Sequence, residues 1–414
     1  MSEWKNVKIG DICKIVKGTT GIASAEPGEY PLVVTAEERK TCSSYQFDCE
    51  AVCIPLVSSS GHGKKSLKNV HYQSGKFALG TILCAVIPIN PEQLDARFLH
   101  QYLQFYKDTI LVPLMKGAAN VSLSMKDIAT VEIPLPPIEN QRELSVLFIT
   151  LRENQKKLAA ETDQQLEYTK LLRQNILQDA IEGKLTADWR KPHPVIIGNP
   201  DYDAEALFEK IQKEKSSDKK QKELPPITDE EKPFEIPEGW KWVRLNDFVI
   251  ISTGNKDVNQ GNEDGLYDFF TCAKEPLKSN SYSYDGECLI LPGNGVNVGV
   301  AIYHIGKFEA YQRTYVLEKV SNLCNFKYLL NSLNCNWKKY NENKMFGTAM
   351  PFIKLGNLQN YIFPLPPLKE QEVIVTKAKA LLSKVTELEN QIQERKTLSE
   401  KLAFGIIKEK LEVK

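Results

Sequence analysis

Among the residues whose types and spacing could do chemistry, Asn199-Pro200-Asp201-Tyr202 comes first. It has the outline of the strand-end Asn-Pro-Pro-Tyr that holds an adenine amino group for methylation. Asp201 stands where that motif has proline, and no glycine-rich cofactor loop lies in a βαβ unit upstream, so the string reads as a turn. Gly293, Gly295 and Gly299 have the wrong spacing for a dinucleotide fingerprint, and Tyr303 and His304 follow in a β-like run where a helix should continue. The five histidines, His62, His71, His100, His193 and His304, show no ligand spacing, and His100 sits in an apolar pattern that reads as packing. The nine cysteines include no C-x-x-C pair and match neither a zinc nor a disulfide framework. Buried reduced thiols are the better reading.

What is left is side chains that hydrogen-bond nucleic acid. His62 lies between Gly61 and Gly63, with Ser60 before it and Lys64, Lys65 and Lys68 after it. Such a loop has the backbone freedom, cations and donors to follow a groove. Asn294 and Asn297 carry the amide for a bidentate contact to adenine, and Gln312-Arg313 suits adenine or guanine edges. Lys116 and Asn120 flank Gly117, while Asn343 and Lys344 precede the equivalent Gly347, which makes these four the candidates for phosphate contacts. A structural role is the competing reading for each.

Composition excludes little. Lys plus Arg and Asp plus Glu stand at 53 each, so net charge argues neither for nor against nucleic acid. Met1-Ser2-Glu3-Trp4-Lys5 has no signal-peptide form, and no apolar run approaches the roughly 18 residues of a membrane span. A cytoplasmic protein with no membrane partner is expected. The 414 residues suffice for two or three domains.

The elements that must position the candidates are written twice. Val7-Lys8-Ile9-Gly10-Asp11 returns as Val243-Arg244-Leu245-Asn246-Asp247, and Ile133-Pro134-Leu135-Pro136-Pro137-Ile138 returns as Phe363-Pro364-Leu365-Pro366-Pro367-Leu368. Tyr45 through Pro55 matches Tyr282 through Pro292, and Gly75-Lys76-Phe77 matches Gly306-Lys307-Phe308. Between those last anchors the first copy holds more residues, around Ser58 to Lys65, where the second has Gly293 to Gly299. An insertion on a duplicated scaffold belongs in a loop, the usual place for binding specificity. Short β-rich runs bounded by Gly and Pro, such as residues 51–54, 81–87 and 288–291, read as strands, and residues 97–103 and 327–333 read as helices.

After each Pro-Leu-Pro-Pro the pattern becomes a heptad. The second copy steps through Ile374, Ala378, Leu381, Val385, Leu388 and Ile392, then Leu398, Leu402 and Ile406. The first steps through Leu144, Phe148, Leu151, Gln155, Leu158 and Thr162, then Tyr168, Leu172 and Ile176, and ends near Gly183. Glu139 and Glu370, near the first turns, suit the helix dipole. Residues 187–238 have no counterpart in the duplication. They hold a short amphipathic stretch at 204–211 and a charged run at 213–222 that the acidic Asp229-Glu230-Glu231 largely cancels, which reads as a solvated linker.

The string Pro233 to Leu245, with Pro-Glu-Gly-Trp at 237–240, resembles the start of a target-recognition domain in specificity subunits of type I restriction-modification enzymes. Pro134-Leu135-Pro136-Pro137 with Gln141, Pro364-Leu365-Pro366-Pro367 with Glu370-Gln371, and Ile176 to Ala180 leading to Gly183-Lys184-Leu185-Thr186 resemble that family's helical spacers. One departure is Phe404-Gly405-Ile406-Ile407-Lys408, which ends the second helix without a second Gly-Lys-Leu-Thr. The resemblance implies an α+β architecture: two similar mixed recognition domains separated by two long helices packed as an antiparallel coiled coil, with a pseudo-twofold internal repeat. The expected divisions are 1–137 and 239–367 for the recognition domains, 138–186 and 368–414 for the spacer helices, and 187–238 for the linker. It also implies no catalysis and no cofactor on this chain. Double-stranded DNA, two adenine methyltransferase subunits and ATP-dependent restriction subunits are the implied partners, with S-adenosylmethionine, ATP and magnesium on those subunits. A stand-alone adenine-N6 methyltransferase and a two-headed coiled-coil scaffold are the competing functions.

Overall fold

The computed structural model describes residues 4–60, 63–215 and 224–412. Contacts divide the chain into unit 1, Met1–Asp163 with Gln393–Lys414, and unit 2, Gln164–Ile392. In unit 2 a six-stranded sheet runs in the order Val249–Thr253, Thr314–Lys319, Tyr284–Pro292, Ile302–Ala310, Tyr267–Phe270, Leu277–Ser279. Only the pairing of Tyr267–Phe270 with Ile302–Ala310 is parallel. Unit 1 has the same order broken in two. Cys13–Lys17, Leu83–Pro88, Ala51–Pro55 and His71–Gln73 form one sheet, and Lys40–Cys42, Tyr30–Val33, Lys76–Leu79 and Phe47–Asp48 form the other.

The break falls inside a preserved register. Phe47 pairs with Phe77 and Ala51 with Gln73, which brings Cys49 opposite Gly75; the matching place in unit 2 is Gly286 opposite Gly306, where the ladder is continuous. Both glycines of that pair hold positive φ, 139° and 109°, a backbone that a side chain at Cys49 would resist. Each unit is closed by a further two-stranded sheet that ties its first strand to its Pro-Leu-Pro-Pro strand, Lys5–Lys8 with Glu132–Leu135 and Lys241–Arg244 with Ile362–Leu365.

A long helix follows each of these strands, Ile138–Ile181 and Leu368–Glu412. The proline pairs end the strand because they have no N–H to donate to the ladder, and they hold the residue before each out of the helical region, so the helix begins only after them. A buried glutamine then secures each helix start. Gln141 Nε2 donates to the carbonyls of Gln93 (2.9 Å) and Pro136 (2.7 Å), and Gln371 Nε2 donates to Pro366 (2.7 Å). Glu370 does more than face a dipole. It is 1% exposed and accepts from Thr186 Oγ1 (2.6 Å), Arg190 Nη1 (2.5 Å) and Trp240 Nε1 (2.7 Å), whereas Glu139 is exposed.

The heptad reading needs correction in its second half. Within unit 1 Leu144, Phe148 and Leu151 pack with Ile407 and Leu411, and Lys396 pairs with Asp163 at 3.1 Å. Within unit 2 Arg173 makes a two-pronged contact to Glu389 (3.0 and 2.7 Å) and Lys377 reaches the Leu185 carbonyl, so the helix segments run antiparallel. Thr162, Thr169 and Ile176 are buried where Tyr168 and Leu172 are exposed, and Ile392, Ala403 and Ile407 are buried where Leu398 and Leu402 are exposed. Leu381 and Leu388 also face outward. The inner stripe keeps a steady heptad by accepting polar residues, whose hydroxyls bond back to their own helix (Thr162 to Leu158, Thr169 to Leu166).

Residues 187–238 are more than a linker. The helix Ala204–Glu214 buries Ala204, Leu207 and Ile211 in unit 2's main core, beside Val243 and Phe248. Arg244, 4% exposed, is held by Glu231 at 2.9 Å and by the Pro225 carbonyl. Most of the charged run, residues 216–222, lies outside the described residues.

Candidate nucleic-acid interface

Each unit presents two loops locked together by the same backbone bonds. In unit 1 the strand Ala51–Pro55 runs into residues 56–60, and these, with residues 63–70, meet residues 116–122, which follow the helix Ala96–Ile110. Leu123 N donates to Leu56 O (2.9 Å), Ser58 N to Val121 O (3.0 Å), and Lys116 and Ser122 exchange two bonds of 2.8 Å. In unit 2 Ile353 N donates to Gly293 O (2.9 Å), Gly295 N to Pro351 O (2.8 Å), and Phe346 and Phe352 exchange two bonds of 2.9 Å. Gly117 (φ +122°) and Gly347 (φ +81°) allow the tight return of the second loop in both.

On this shared platform the side chains differ. Unit 1 has the longer first loop: fifteen residues separate Pro55 from His71, against nine between Pro292 and Ile302. Serines stitch its base. Ser58 Oγ donates to Lys64 O (2.6 Å), Ser60 Oγ meets Ser66 Oγ (2.7 Å), and Ser59 Oγ accepts from Lys68 N (2.9 Å). Leu67 and Val70 anchor it in the core, leaving Lys64, Lys65 and Lys68 exposed. A Cβ on Gly63 would stand 2.3 Å from the Ala118 carbonyl, so this loop lies directly against the one bearing Lys116 and Asn120. Both of those are exposed, and Lys116 pairs with Asp127 at 3.1 Å. Ser124's hydroxyl, and then Lys116, hold the Asp127 carboxyl below its ordinary range. Gly61 and His62 lie outside the described residues.

In unit 2 three candidates come together. Asn294, Gln312 and Arg313, with Thr253, Tyr315 and Phe352, line a depression of about 340 Å³. Gly293 forms its floor, where a Cβ would meet the Arg313 carbonyl at 2.4 Å. Gln312 and Arg313 are exposed; Asn294 is 8% exposed, its Nδ2 turned to Met350 Sδ at 3.5 Å. Asn297 ties its own loop down by donating to the Cys272 carbonyl (2.8 Å). Asn343 and Lys344 sit just past the helix Phe326–Asn341 and do not line the depression. Lys344 Nζ lies 3.5 Å from the Tyr340 ring centroid, and burial lowers its pKa.

Sequence reasoning missed the apolar members of this face. Phe346 and Met350 occupy the loop positions of Lys116 and Asn120 and are 41% and 59% exposed, and Val296 beside them is 97% exposed. The alignment of Phe346-Gly347 with Lys116-Gly117 carries that signal, but Phe and Met at a loop read as core.

The chemistry-like strings resolve into structure. Asn199 Oδ1 accepts from Asp201 N (3.0 Å) and its carbonyl from Tyr202 N (2.9 Å), so Asn199-Pro200-Asp201-Tyr202 is a turn. All nine cysteines are free thiols, and burial pushes those of Cys13 and Cys84 up to about 12. Among the described residues no group of three or more His, Cys, Asp or Glu is placed to hold a metal ion, and no helix is long and apolar enough to cross a membrane.

A duplicated α+β unit with paired loops at equivalent places defines a class, and comparison with known proteins agrees. The family described as the type I restriction modification DNA specificity domain matches residues 1–168 and 237–395. The chain belongs to that family, whose specificity subunits are the non-catalytic components of type I restriction-modification systems. It is similar to the EcoDI specificity subunit of Escherichia coli, 37% identical over 159 residues, 38% of this chain and 35% of that protein. With the EcoAI specificity subunit of Escherichia coli it shares 28% identity over 260 residues, 54% of this chain and 41% of that protein. The matches thus span about two fifths or less of these relatives' lengths. Two solved structures share the fold at 18% identity. One, from work on complex assembly and conformational transition of the type I R-M system, has a TM-score of 0.70 and covers 100% of this chain and 98% of that one. The other, the HsdS subunit from Thermoanaerobacter tengcongensis, has a TM-score of 0.54 and covers 100% and 97%.

Proposed function

We propose that this chain reads a split duplex target, each unit recognising one half through its paired loops, while the long helices dock two adenine methyltransferase subunits and restriction subunits join the assembly. On this reading S-adenosylmethionine, ATP and magnesium belong to the partner subunits. The observation that carries it is one backbone platform bearing two chemistries: Lys64, Lys65, Lys68, Lys116 and Asn120 in unit 1, Asn294, Gln312 and Arg313 in unit 2. A shared scaffold with divergent loop contents is what two readers of different sequences require. The outward leucines of the helices, Leu381, Leu388, Leu398 and Leu402, supply the apolar surface that docking a protein subunit needs. A methyltransferase acting alone through Asn199 is disfavoured, since that side chain is engaged in its own turn.

The test is exchange of residues 58–68 for the corresponding loop of another specificity subunit, followed by mapping of methylated adenines in cells that also make the methyltransferase subunits. One half of the target should change and the other stay. Simultaneous change of both halves, or of neither, would overturn the two-reader assignment.

A further inference from the structure

We propose that residues 346–352 of unit 2 form an apolar wedge that enters the base stack of duplex DNA, so that unit 2's half of the target is locally unstacked while unit 1's half is not. The inference rests on the DNA-reading assignment above. Single exposed apolar residues are ordinary, but Val296, Phe346 and Met350 are clustered on two loops that are bonded to each other. The second loop fixes Phe346 and Met350 in a closed return. Phe346 and Phe352 close it with two 2.9 Å bonds, their rings are 5.7 Å apart, Gly347 makes the turn at φ +81°, and the Pro351 carbonyl is pinned by Gly295 N. Rigid apolar side chains at a loop tip are the form that intercalating residues take in proteins that kink DNA.

Charge and neighbours select the occupant. Lys354 Nζ stands 3.9 Å from the Phe346 ring centroid, a cation beside an exposed aromatic, which suits an apolar base face flanked by phosphates. Met350 Sδ touches Asn294 Nδ2, and Asn294 lines the depression with Gln312 and Arg313, so the apolar tip is continuous with donors suited to base edges. Unit 1 provides the control built into the molecule. Its closed loop has the same bonds but carries Lys116, Asn120 and Ser122 where unit 2 carries Phe346, Met350 and Phe352.

The experiment uses the full chain and a 40-base-pair duplex selected from a random-sequence library by that chain, with 2-aminopurine or pyrrolocytosine replacing each adenine or cytosine in turn. Binding should raise fluorescence several-fold at one step within one half of the target, at unchanged levels elsewhere. Phe346→Ser with Met350→Ser should abolish the rise and weaken binding about tenfold, and Met350→Leu should retain it. Should the double variant misfold, Met350→Ser alone, at a 59% exposed position, carries the same expectation of a reduced rise. Tight binding with no rise at any step, or a rise that survives both serine variants, overturns the wedge and leaves DNA reading intact. Loss of methyltransferase association in the serine variants with an unaltered rise assigns the loop to a protein partner and also overturns it. Failure of the library to yield any retained duplex overturns the wedge together with the DNA-reading assignment.

Discussion

At one strand position unit 1 has Ala78, enclosed by Leu32, Val34 and Cys42; at the matching position unit 2 has Glu309, fully buried. Glu309 accepts from Ser283 Oγ (3.0 Å) and Ala310 N (3.1 Å) and pairs with Lys256 at 3.3 Å, whereas the counterpart of Lys256 in unit 1 is Thr20. Elsewhere the polarity is reversed. His71 and His100 are buried in unit 1 where unit 2 has Ile302 and Leu330. The ladder, the loop bonds and the glycines at sharp returns are shared, because backbone geometry leaves few alternatives to them. Buried chemistry has diverged, because an ion pair and an apolar contact can fill the same site. The two units should therefore fold alike and fail differently.

The largest expected difference concerns Glu309. Glu309→Ala leaves Lys256 without its buried partner and should cost about 3–5 kcal/mol, while Glu309→Ala with Lys256→Thr, which reproduces unit 1's solution, should recover most of that. Denaturant unfolding followed by tryptophan fluorescence reports mainly on unit 2, which contains Trp189, Trp240, Trp242 and Trp337. Equal losses in the single and double variants would mean that the pair is not what distinguishes the units.

Acid should single out unit 1. Burial, then the nearby Arg39 and His100, lower His71 to about 4, and burial with Arg152 and Arg39 nearby lowers His100 to about 4. Both are neutral in the fold, but in the unfolded chain they take up protons below about pH 6.5. Stability from this source is therefore complete above about pH 6.5 and falls as pH drops toward 4, by about 2 kcal/mol for each histidine at pH 5. Hydrogen exchange at pH 5 and pH 7.5 should show the strands Ala51–Pro55 and His71–Gln73 opening earlier in acid than Tyr284–Pro292 and Ile302–Ala310. Replacing His71 and His100 with Ile and Leu should remove the asymmetry; its persistence would place the acid sensitivity elsewhere.

The duplication was legible because its markers are constrained by backbone: Gly75 and Gly306 opposite a strand, Gly117 and Gly347 in a tight return, and the proline pairs before the helices. The helix seam was half legible. Leu381, Leu388, Leu398 and Leu402 are as apolar as any buried residue, and nothing in their spacing tells an outward stripe from an inward one, while Thr169 and Arg173 look like surface and face the partner helix. The segment at 187–238 looked solvated because its charges are frequent, yet three apolar residues on one turn-spaced face of Ala204–Glu214 bury it in a core. At the candidate interface the divergent loops could be found by comparing the copies. Which side chains remain available could not: Asn297 is spent on the Cys272 carbonyl, and Met350 points out.

The smallest effect separates the units by salt. Lys116 is exposed and its pair with Asp127 is screened by solvent, and Asp127 keeps the Ser124 hydroxyl at 2.8 Å when the lysine is removed, so Lys116→Ala should leave the unfolding curve nearly unchanged. If Lys116 meets a phosphate, one fewer counterion is released on binding, and the slope of log affinity against log salt should fall by about one. Phe346 holds the same place in unit 2 and carries no charge. Phe346→Ala should thus weaken binding by a similar factor at every salt concentration and leave the slope alone. Titrations of both variants from about 50 to 200 mM salt make the comparison. A slope that falls in both, or in neither, would show that the two loops touch the duplex in the same way, and the chemical contrast between them would then have no bearing on how each half-site is held.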